Sequence, residues 1–480
     1  MDLNFSMIAP ELSLLAAVAL ILIVDLVMRR RAPALLLEGA ALVGLALAFI
    51  FTWTSWQDLG STAFGGRLTS DGLALFLRAL MILVGAATVI SSSAYLKREK
   101  LEQAEYLSLT LFSVTGMMLL VSASELITLF LGLEILSMAL YVLAGFHRDE
   151  ARSVEAALKY FLLGAFASAI LLLGIALLWG SSGTLHLAGL REAWSTGELL
   201  HPPLAQAGFW MVVVGLLFKI SLAPFHFWAA DVYEGSPAPV AGFMATGTKA
   251  AAFGALARFL ILGFGETRAD WVPVLIVLAV LTMGVGNFMA IAQANIKRML
   301  AFSSVAHAGY ILLALVAGTE HSLRALLVYL AAYSLMTLGA FTVVSIAGGK
   351  GEERQSIYEY AGLAKRDPWL ALFLAVFLFS LAGIPPAVGF IGKFLIFAEL
   401  VRGGFVGLTI VAVLFSLVSA YYYLRVIYLI YMREPLDEPA PVGLPRGAGI
   451  LLGILLILVI LLGILPSGLM DLASRAPLLF

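Results

Sequence analysis

Apolar stretches longer than about 18 residues recur from one end of the chain to the other, and each is long enough to cross the roughly 30 Å hydrocarbon core of a bilayer as a helix. Fourteen can be counted, at approximately 8–28, 34–55, 72–95, 105–123, 125–146, 154–179, 208–230, 238–262, 271–293, 297–317, 322–346, 369–399, 405–432 and 447–470. Helix follows because lipid cannot satisfy backbone N–H and C=O groups, and the runs are too long and too uniformly apolar for alternating barrel strands. Of the 480 residues, 62% are hydrophobic and 12% charged, against about 25% charged in a soluble domain. The expected fold is an all-α polytopic membrane protein with about 14 transmembrane helices.

A net charge of -1 argues against nucleic acid as a partner, and the absence of cysteine removes disulfides, iron-sulfur ligation and thiolate zinc sites from this chain. Arg29, Arg30 and Arg31 follow the first run rather than precede it, and no small-residue cleavage pattern closes it, so it reads as a retained helix rather than a signal peptide. Gly348-Gly349-Lys350-Gly351 lacks the spacing and Ser/Thr of a Walker loop, and no His-Glu-x-x-His or strand-linked Gly-x-Gly-x-x-Gly occurs. Lys and Arg concentrate in the odd-numbered loops, chiefly at Arg29 to Arg31, Lys97 to Lys100, Lys297-Arg298, and Lys350, Arg354, Lys365 and Arg366. Those loops are expected to be cytoplasmic, which places both termini outside; in a bacterium that means the inner membrane, with the termini in the periplasm.

Two runs contain internal breakers. The seventh has Phe218-Lys219-Ile220-Ser221-Leu222-Ala223-Pro224 and the twelfth Ser380-Leu381-Ala382-Gly383-Ile384-Pro385-Pro386, five runs later. A five-helix unit is odd, so a second copy enters from the opposite side: helices 4–8 and 9–13 form two inverted repeats, with helices 7 and 12 discontinuous. Paired interrupted helices point to a transport site. The chain divides accordingly into a three-helix segment (1–104), a first repeat (105–262), a second (271–432) and a C-terminal loop and helix (433–480). Loops 180–207 and 347–368 read as surface connections.

Seven cations fall inside the runs: Arg78, Lys159, Lys219, Lys249, Arg258, Lys393 and Arg425. Arg258 and Arg425 lie near helix ends, where snorkelling to the headgroups accounts for them; Arg78 is intermediate. Lys219 and Lys249 lie well inside, Lys393 follows a break, and Glu134 sits within the fifth run. Each costs roughly 2.5–3.5 kcal/mol to insert, so partners, water or function must compensate. A static Glu134–Lys219 ion pair is the plain alternative, but one carboxylate cannot neutralise three or four lysines. Pro224 frees the carbonyl of Ile220, and Pro385 and Pro386 free those of Leu381 and Ala382; Lys393, seven residues after Pro386, shares a face with that opening. A purely structural kink is the competing reading for either break alone.

Desolvation disfavours a charged lysine and a nearby carboxylate favours it, so moving Glu134 relative to Lys219 would switch proton holding to proton release. Lys159, Lys249 and His307 extend such a relay, an imidazole being suited to passing protons, although a lone buried histidine also serves as a satisfied core residue. His226 either caps freed backbone or carries protons, and haem ligation by His226 and His307 remains a minor alternative.

The stretch from Lys219 to Lys249, KISLAPFHFWAADVYEGSPAPVAGFMATGTK, resembles the antiporter-like subunits of respiratory complex I and the related Mrp-type cation/proton antiporters. Support comes from LGLEILSMALYVLAG around Glu134, NIKRMLAFSSVAHAGY around His307 and GIPPAVGFIGKF around Lys393. Asp231-Val232-Tyr233-Glu234-Gly235-Ser236-Pro237 is similar to the subunit N branch, as are a lysine in helix 12 and an end after fourteen helices without a lateral helix. The resemblance implies Glu134 and Lys219 as a helix 5 and 7 charge pair, Lys249 as the central lysine, Lys393 as the exit lysine, and Lys159 and His307 as matching helix 6 and 10 positions. It further implies proton translocation driven by NADH oxidation and quinone reduction in other subunits. Flavin, iron-sulfur clusters and the quinone site would lie in those partners, with no cofactor or metal in this chain. Subunits M, K and J, the lateral helix of subunit L and membrane lipids are the expected neighbours. An Mrp-type antiporter or a passive scaffold are the alternatives.

Overall fold

The computed structural model describes residues 4–101, 103–197, 199–348, 354–435, 443–476 and 478. Lys350 of the orientation argument, and with it Gly349 and Gly351, lies outside them. Among the described residues thirteen helices are long and apolar enough to cross a membrane. The chain is a multi-pass helical membrane protein. It opens with α1 (Ala9–Val27), α2 (Ala34–Thr54), α3 (Gly72–Glu99), α4 (Gln103–Ser122), α5 (Leu126–Ala144) and α6 (Ala151–Ser182). After α7 (Leu187–Thr196) come α8 (Pro202–Ile220) and α9 (Phe227–Gly235), the two parts of the seventh run. A single span then contains α10 (Ala238–Phe243), a π-helical turn and α11 (Lys249–Arg258). The second half holds α12 (Arg268–Ile291), α13 (Ile296–Ala317), α14 (Ser322–Ala347) and the short α15 (Leu363–Arg366). It continues with α16 (Pro368–Ala382), α17 (Val388–Arg402), α18 (Val406–Met432), α19 (Arg446–Ile464) and α20 (Ser467–Ser474). The expected twelfth crossing is thus present as α16 and α17, each 15 residues and too short to span alone.

Both breaks end on the same backbone device. Ser221 at φ 65° and Gly383 at φ 83° adopt the left-handed conformation, and the next amide reaches back five residues, Leu222 N–H to Leu217 C=O (3.1 Å) and Ile384 N–H to Phe379 C=O (3.1 Å). These are Schellman closures, which satisfy terminal carbonyls where water is scarce. A second device also recurs. Glu125, just before α5, bridges to His186 in the loop after α6, and Asn295, just before α13, bridges to Ser356 in the loop after α14. An odd number of crossings separates the two bridges, so they lie on opposite membrane faces.

The loops are more structured than their sequence suggests. In 180–207, Leu187 and Leu190 are buried on α7, and Trp194 meets Phe264 edge-on at 4.8 Å. The spacing of these three makes a short amphipathic helix that a search for long apolar runs passes over. In the loop after α14, Ser356 and Glu359 form a capping box that starts a 3-10 turn. An unforeseen hairpin pairs β1 (Ser61–Ala63) with β2 (Leu68–Ser70).

Two snorkelling assignments need correction or refinement. Arg258 is fully buried, its guanidinium bound by Asp71 through both nitrogens (2.8 and 2.7 Å), with Nε donating to Val121 C=O at 3.1 Å. Asp71 comes from the start of α3 and also caps Ala74 N–H; a partner so distant in sequence is invisible to a helix-by-helix reading. Arg78 is likewise buried against Glu11 (2.9 Å) and Met7 C=O (3.2 Å). Arg425 does sit at a partly exposed end, donating to Ile291 C=O and Tyr358 OH. Asp71→Ala should destabilise the protein by about 3–5 kcal/mol because it strands a buried guanidinium, and adding Arg258→Met should recover most of that loss. Unfolding midpoints in detergent measure both, and an unchanged midpoint for Asp71→Ala would contradict the structural role given to the pair.

Candidate functional site: a buried lysine and tyrosine seam

Lys219, Lys249, Lys393 and His307 are each at most 3% exposed. Among the described residues no carboxylate forms an ion pair with any of these lysines, so their ammonium groups rest on hydroxyls, carbonyls and aromatic faces.

Lys219, in the last turn of α8, donates to Ser137 Oγ on α5 (2.8 Å) and to Tyr160 OH on α6 (3.0 Å), with the Tyr160 ring centroid 5.0 Å away. Glu134 takes a short hydrogen bond from Ser168 Oγ instead. Beside Lys219 lies a cavity of about 10 Å³, lined by Ser168, Ser137, Tyr141 and Lys219 among others, close to the space one water needs. Among the described residues the static Glu134–Lys219 ion pair is not formed: Glu134 is bound by Ser168 and Lys219 by Ser137 and Tyr160. Gly164 permits this packing, since a Cβ there would lie 2.0 Å from Tyr141 OH.

Lys249 follows directly on the π-helical turn Met244–Thr248 and donates to Ser304 C=O at 2.7 Å. Such turns locally widen a helix and recur at functional sites. From Ser304 the seam follows one face of α13. His307 Nδ1 pairs with Tyr329 OH (2.7 Å) and Nε2 with Tyr423 OH (3.0 Å). With both ring nitrogens engaged, the haem-ligand alternative has no free donor at His307. Tyr310, one turn on, accepts from Asn287 Nδ2 (3.1 Å), which Tyr422 OH also approaches through Oδ1 (3.1 Å).

Lys393 lies over the Tyr310 ring at 5.1 Å. Its ammonium donates to Leu381 C=O (3.2 Å), Ala382 C=O (3.1 Å) and Ser416 Oγ (3.0 Å). The two carbonyls are those that the prolines were expected to free. At the first break Lys219 turns away from Ile220, and the reason is side-chain direction. Helical side chains lean toward the N-terminus, so a lysine after a break reaches back into it and a lysine before a break reaches away.

Lys159 is placed differently. Its side chain is 42% exposed and pairs with Glu155 (2.7 Å) and Asp231 (2.9 Å). Arg298, counted above as a loop cation, lies in the first turn of α13 and binds Asp231 and Glu234 (both 2.7 Å). These groups line a cavity of about 290 Å³ at the membrane face. His226 stands beside the first break with Nδ1 buried and lacking a hydrogen-bond partner. Sequence reasoning missed the hydroxyl carriers Ser137, Tyr160, Ser168, Tyr329, Tyr423 and Ser416. The Ser303, His307 and Tyr310 stripe, at helical spacing on α13, was the available signal.

Interrupted helices in matching positions, with buried lysines beside them, are the pattern that points to a transport site in polytopic membrane proteins. The profile of a family described as NADH:quinone oxidoreductase/Mrp antiporter, TM, matches residues 123–419. The chain is 41% identical to NADH-quinone oxidoreductase subunit N of Trichlorobacter lovleyi, covering 99% of this chain and 97% of that protein. It is 40% identical to the Nitrosomonas europaea subunit N, covering 98% of each. A chain of respiratory complex I from Thermus thermophilus superposes with a TM-score of 0.82 at 36% identity, over 98% of this chain and 100% of that one. A chain of the Mrp complex from Dietzia sp. DQ12-45-1b shares the fold, with a TM-score of 0.87 at 20% identity over 99% and 97%. The chain belongs to the NADH-quinone oxidoreductase subunit N family, within the NADH:quinone oxidoreductase/Mrp antiporter group.

Gly383→Ala would place a Cβ at φ +83° and 3.0 Å from Lys393 Cδ. It should lower stability by about 1–2 kcal/mol, whereas Ser221→Gly, which removes a Cβ from the equivalent left-handed position, should be neutral or stabilising. Paired unfolding midpoints test this, and equal shifts of the same sign would contradict the shared backbone device.

Proposed function

We propose that this chain translocates protons in the membrane arm of an NADH-quinone oxidoreductase, in the inner membrane of a bacterium with both termini in the periplasm. The carrying observation is the set of buried lysines: among the described residues Lys219, Lys249 and Lys393 have no carboxylate ion pair and rest on serine, tyrosine and backbone groups, with His307 held between two tyrosine hydroxyls on the helix that receives Lys249. Glu134, Lys219, Lys249 and Lys393 are the translocating groups. His307 relays between Lys249 and Lys393, and Lys159 with Asp231 and Arg298 forms the access cluster at the face where α6, α9 and α13 meet. Protonation of Glu134 would change its hydrogen bond with Ser168 and remove a negative charge from the field at Lys219, altering that lysine's hold on a proton. NADH oxidation and quinone reduction occur in partner subunits carrying the flavin, iron-sulfur clusters and quinone site. Subunits M, K and J and the lateral helix of subunit L are the neighbours. The path lies in the two five-helix units, 105–262 and 271–432, flanked by the segments 1–104 and 433–480.

The same fold in the Dietzia Mrp complex favours one second reading, a cation/proton antiporter needing no NADH. Co-purification with a peripheral redox arm separates the two. In the reconstituted complex, Lys219→Ala should abolish most pumping while assembly is retained, and Glu134→Gln should lower the proton-to-electron ratio. Unchanged ratios in both variants would leave a passive scaffold as the surviving account.

A further inference from the structure

Each break is touched by the span that follows its own five-helix unit. In the first unit the left-handed Ser221 closes α8, and Ala223 N–H, two residues on, donates to Thr282 Oγ1 on α12 at 3.0 Å. Thr282 is fully buried, and its own hydroxyl proton goes to Leu278 C=O at 2.6 Å, so the oxygen faces the break as an acceptor. In the second unit α19 arrives at the corresponding place. Its buried stripe runs through Leu452, Leu455 and Val459 and continues at Gly463. A Cβ on Gly463 would lie 1.9 Å from the Pro386 carbonyl oxygen and 2.6 Å from the Ala387 carbonyl carbon. The backbone of the break fills the space that any other residue would need. α12 is the ninth span and α19 the fourteenth, so the two contacts stand in the same topological relation to the units 105–262 and 271–432.

Short backbone bonds tie both contacts to the groups that hold the lysines. Ala223 follows Leu222, whose amide closes back on Leu217 C=O at 3.1 Å around Lys219. Ala387 N–H donates to Ile384 C=O (3.2 Å), and Ile384 N–H to Phe379 C=O (3.1 Å). The second of these closures encloses Leu381 and Ala382, whose carbonyls receive Lys393 at 3.2 and 3.1 Å. Both lysine bonds stand at the long end of the hydrogen-bond range, so a small displacement of the break weakens them. Ordinary helix packing accounts for either contact alone. It does not account for both falling on a break and both coming from the span after the unit.

We propose that the span following each five-helix unit holds that unit's break in its lysine-binding conformation, with Thr282 on α12 positioning Lys219 and Gly463 on α19 positioning Lys393. α19, which lies outside both units by span count, thereby completes the second. The inference rests on the translocating role proposed above for the two lysines.

Proton-to-electron ratios of the intact complex in proteoliposomes test it, with Lys219→Ala and Lys393→Ala as references. Thr282→Val removes the acceptor with little change of shape and should lower the ratio with assembly retained, while Thr282→Ser, which keeps the hydroxyl, should recover it. Gly463→Ala should also lower the ratio, whereas Gly453→Ala on the same helix, where a Cβ meets nothing within 4 Å, should not. Wild-type ratios in Thr282→Val and Gly463→Ala beside lowered ratios in the lysine variants would overturn the positioning role and leave the translocating function standing. Wild-type ratios in the lysine variants would overturn that function and this inference together. Equal losses in Thr282→Val and Thr282→Ser, or in Gly463→Ala and Gly453→Ala, would assign the residue concerned to packing and overturn its role here, as would loss of assembly in Thr282→Val or Gly463→Ala.

Discussion

An ammonium group inside a bilayer must find acceptors that cost no second buried charge, and the fold is organised around that requirement. Each charge-assisted hydrogen bond contributes on the order of 1.5–3 kcal/mol, comparable to the roughly 2.5–3.5 kcal/mol that inserting a lysine costs. Lys393 meets it with two backbone carbonyls, a serine and a tyrosine face. The carbonyls are available only because α16 stops at Gly383 and α17 starts afresh at Val388. Breaking the helix and holding the lysine are therefore one feature. Gly383 completes it, since its missing side chain is the space that the Lys393 methylenes occupy.

The buried arginines are handled in the opposite way. Arg78 and Arg258 are each held by a carboxylate, Glu11 and Asp71, and fixed further by a backbone carbonyl. A guanidinium does not release its proton in a protein, and its planar fork suits a permanent bidentate partner. The Arg78–Glu11 pair ties α3 to α1, and the Arg258–Asp71 pair ties α3 to α11 in the remainder of the bundle. The lysines, which can lose a proton when desolvated, are left without carboxylates. Residue type and partner type together thus separate the charges that build the bundle from those that can work in it.

This division was only partly legible in the sequence. The spans, the two breaks and the carbonyls freed by Pro385 and Pro386 all followed from length, periodicity and proline chemistry, because each is a local property. Arg258 was misjudged because its partner Asp71 lies 187 residues away, and nothing in either helix alone announces the contact. The carbonyl freed by Pro224 lies one residue beyond Lys219 in sequence, yet the Lys219 side chain bonds Ser137 and Tyr160 instead, because helical side chains lean toward the N-terminus. The serines and tyrosines of the seam escaped because a lone hydroxyl in an apolar helix usually bonds its own backbone. Thr110, Thr115 and Ser122 on α4 do so four residues back.

The recurring β-bridges show why the two halves look unlike in sequence while sharing a plan. Counting from the bridging residue, Glu125 in one half and Asn295 in the other, the ninth residues are Glu134 and Ser304 and the twelfth are Ser137 and His307. In each half these two positions face the buried lysine: Ser137 receives Lys219, and the Ser304 carbonyl receives Lys249 one turn before His307. Where one half has a carboxylate and a serine at these offsets from its bridge, the other has a serine and a histidine. The first half therefore carries a carboxylic acid near its buried lysine, and the second an imidazole held between two tyrosine hydroxyls. A shared bridge position with different titratable groups nine and twelve residues on makes the two halves chemically unlike, which is what a path with a direction across them would require.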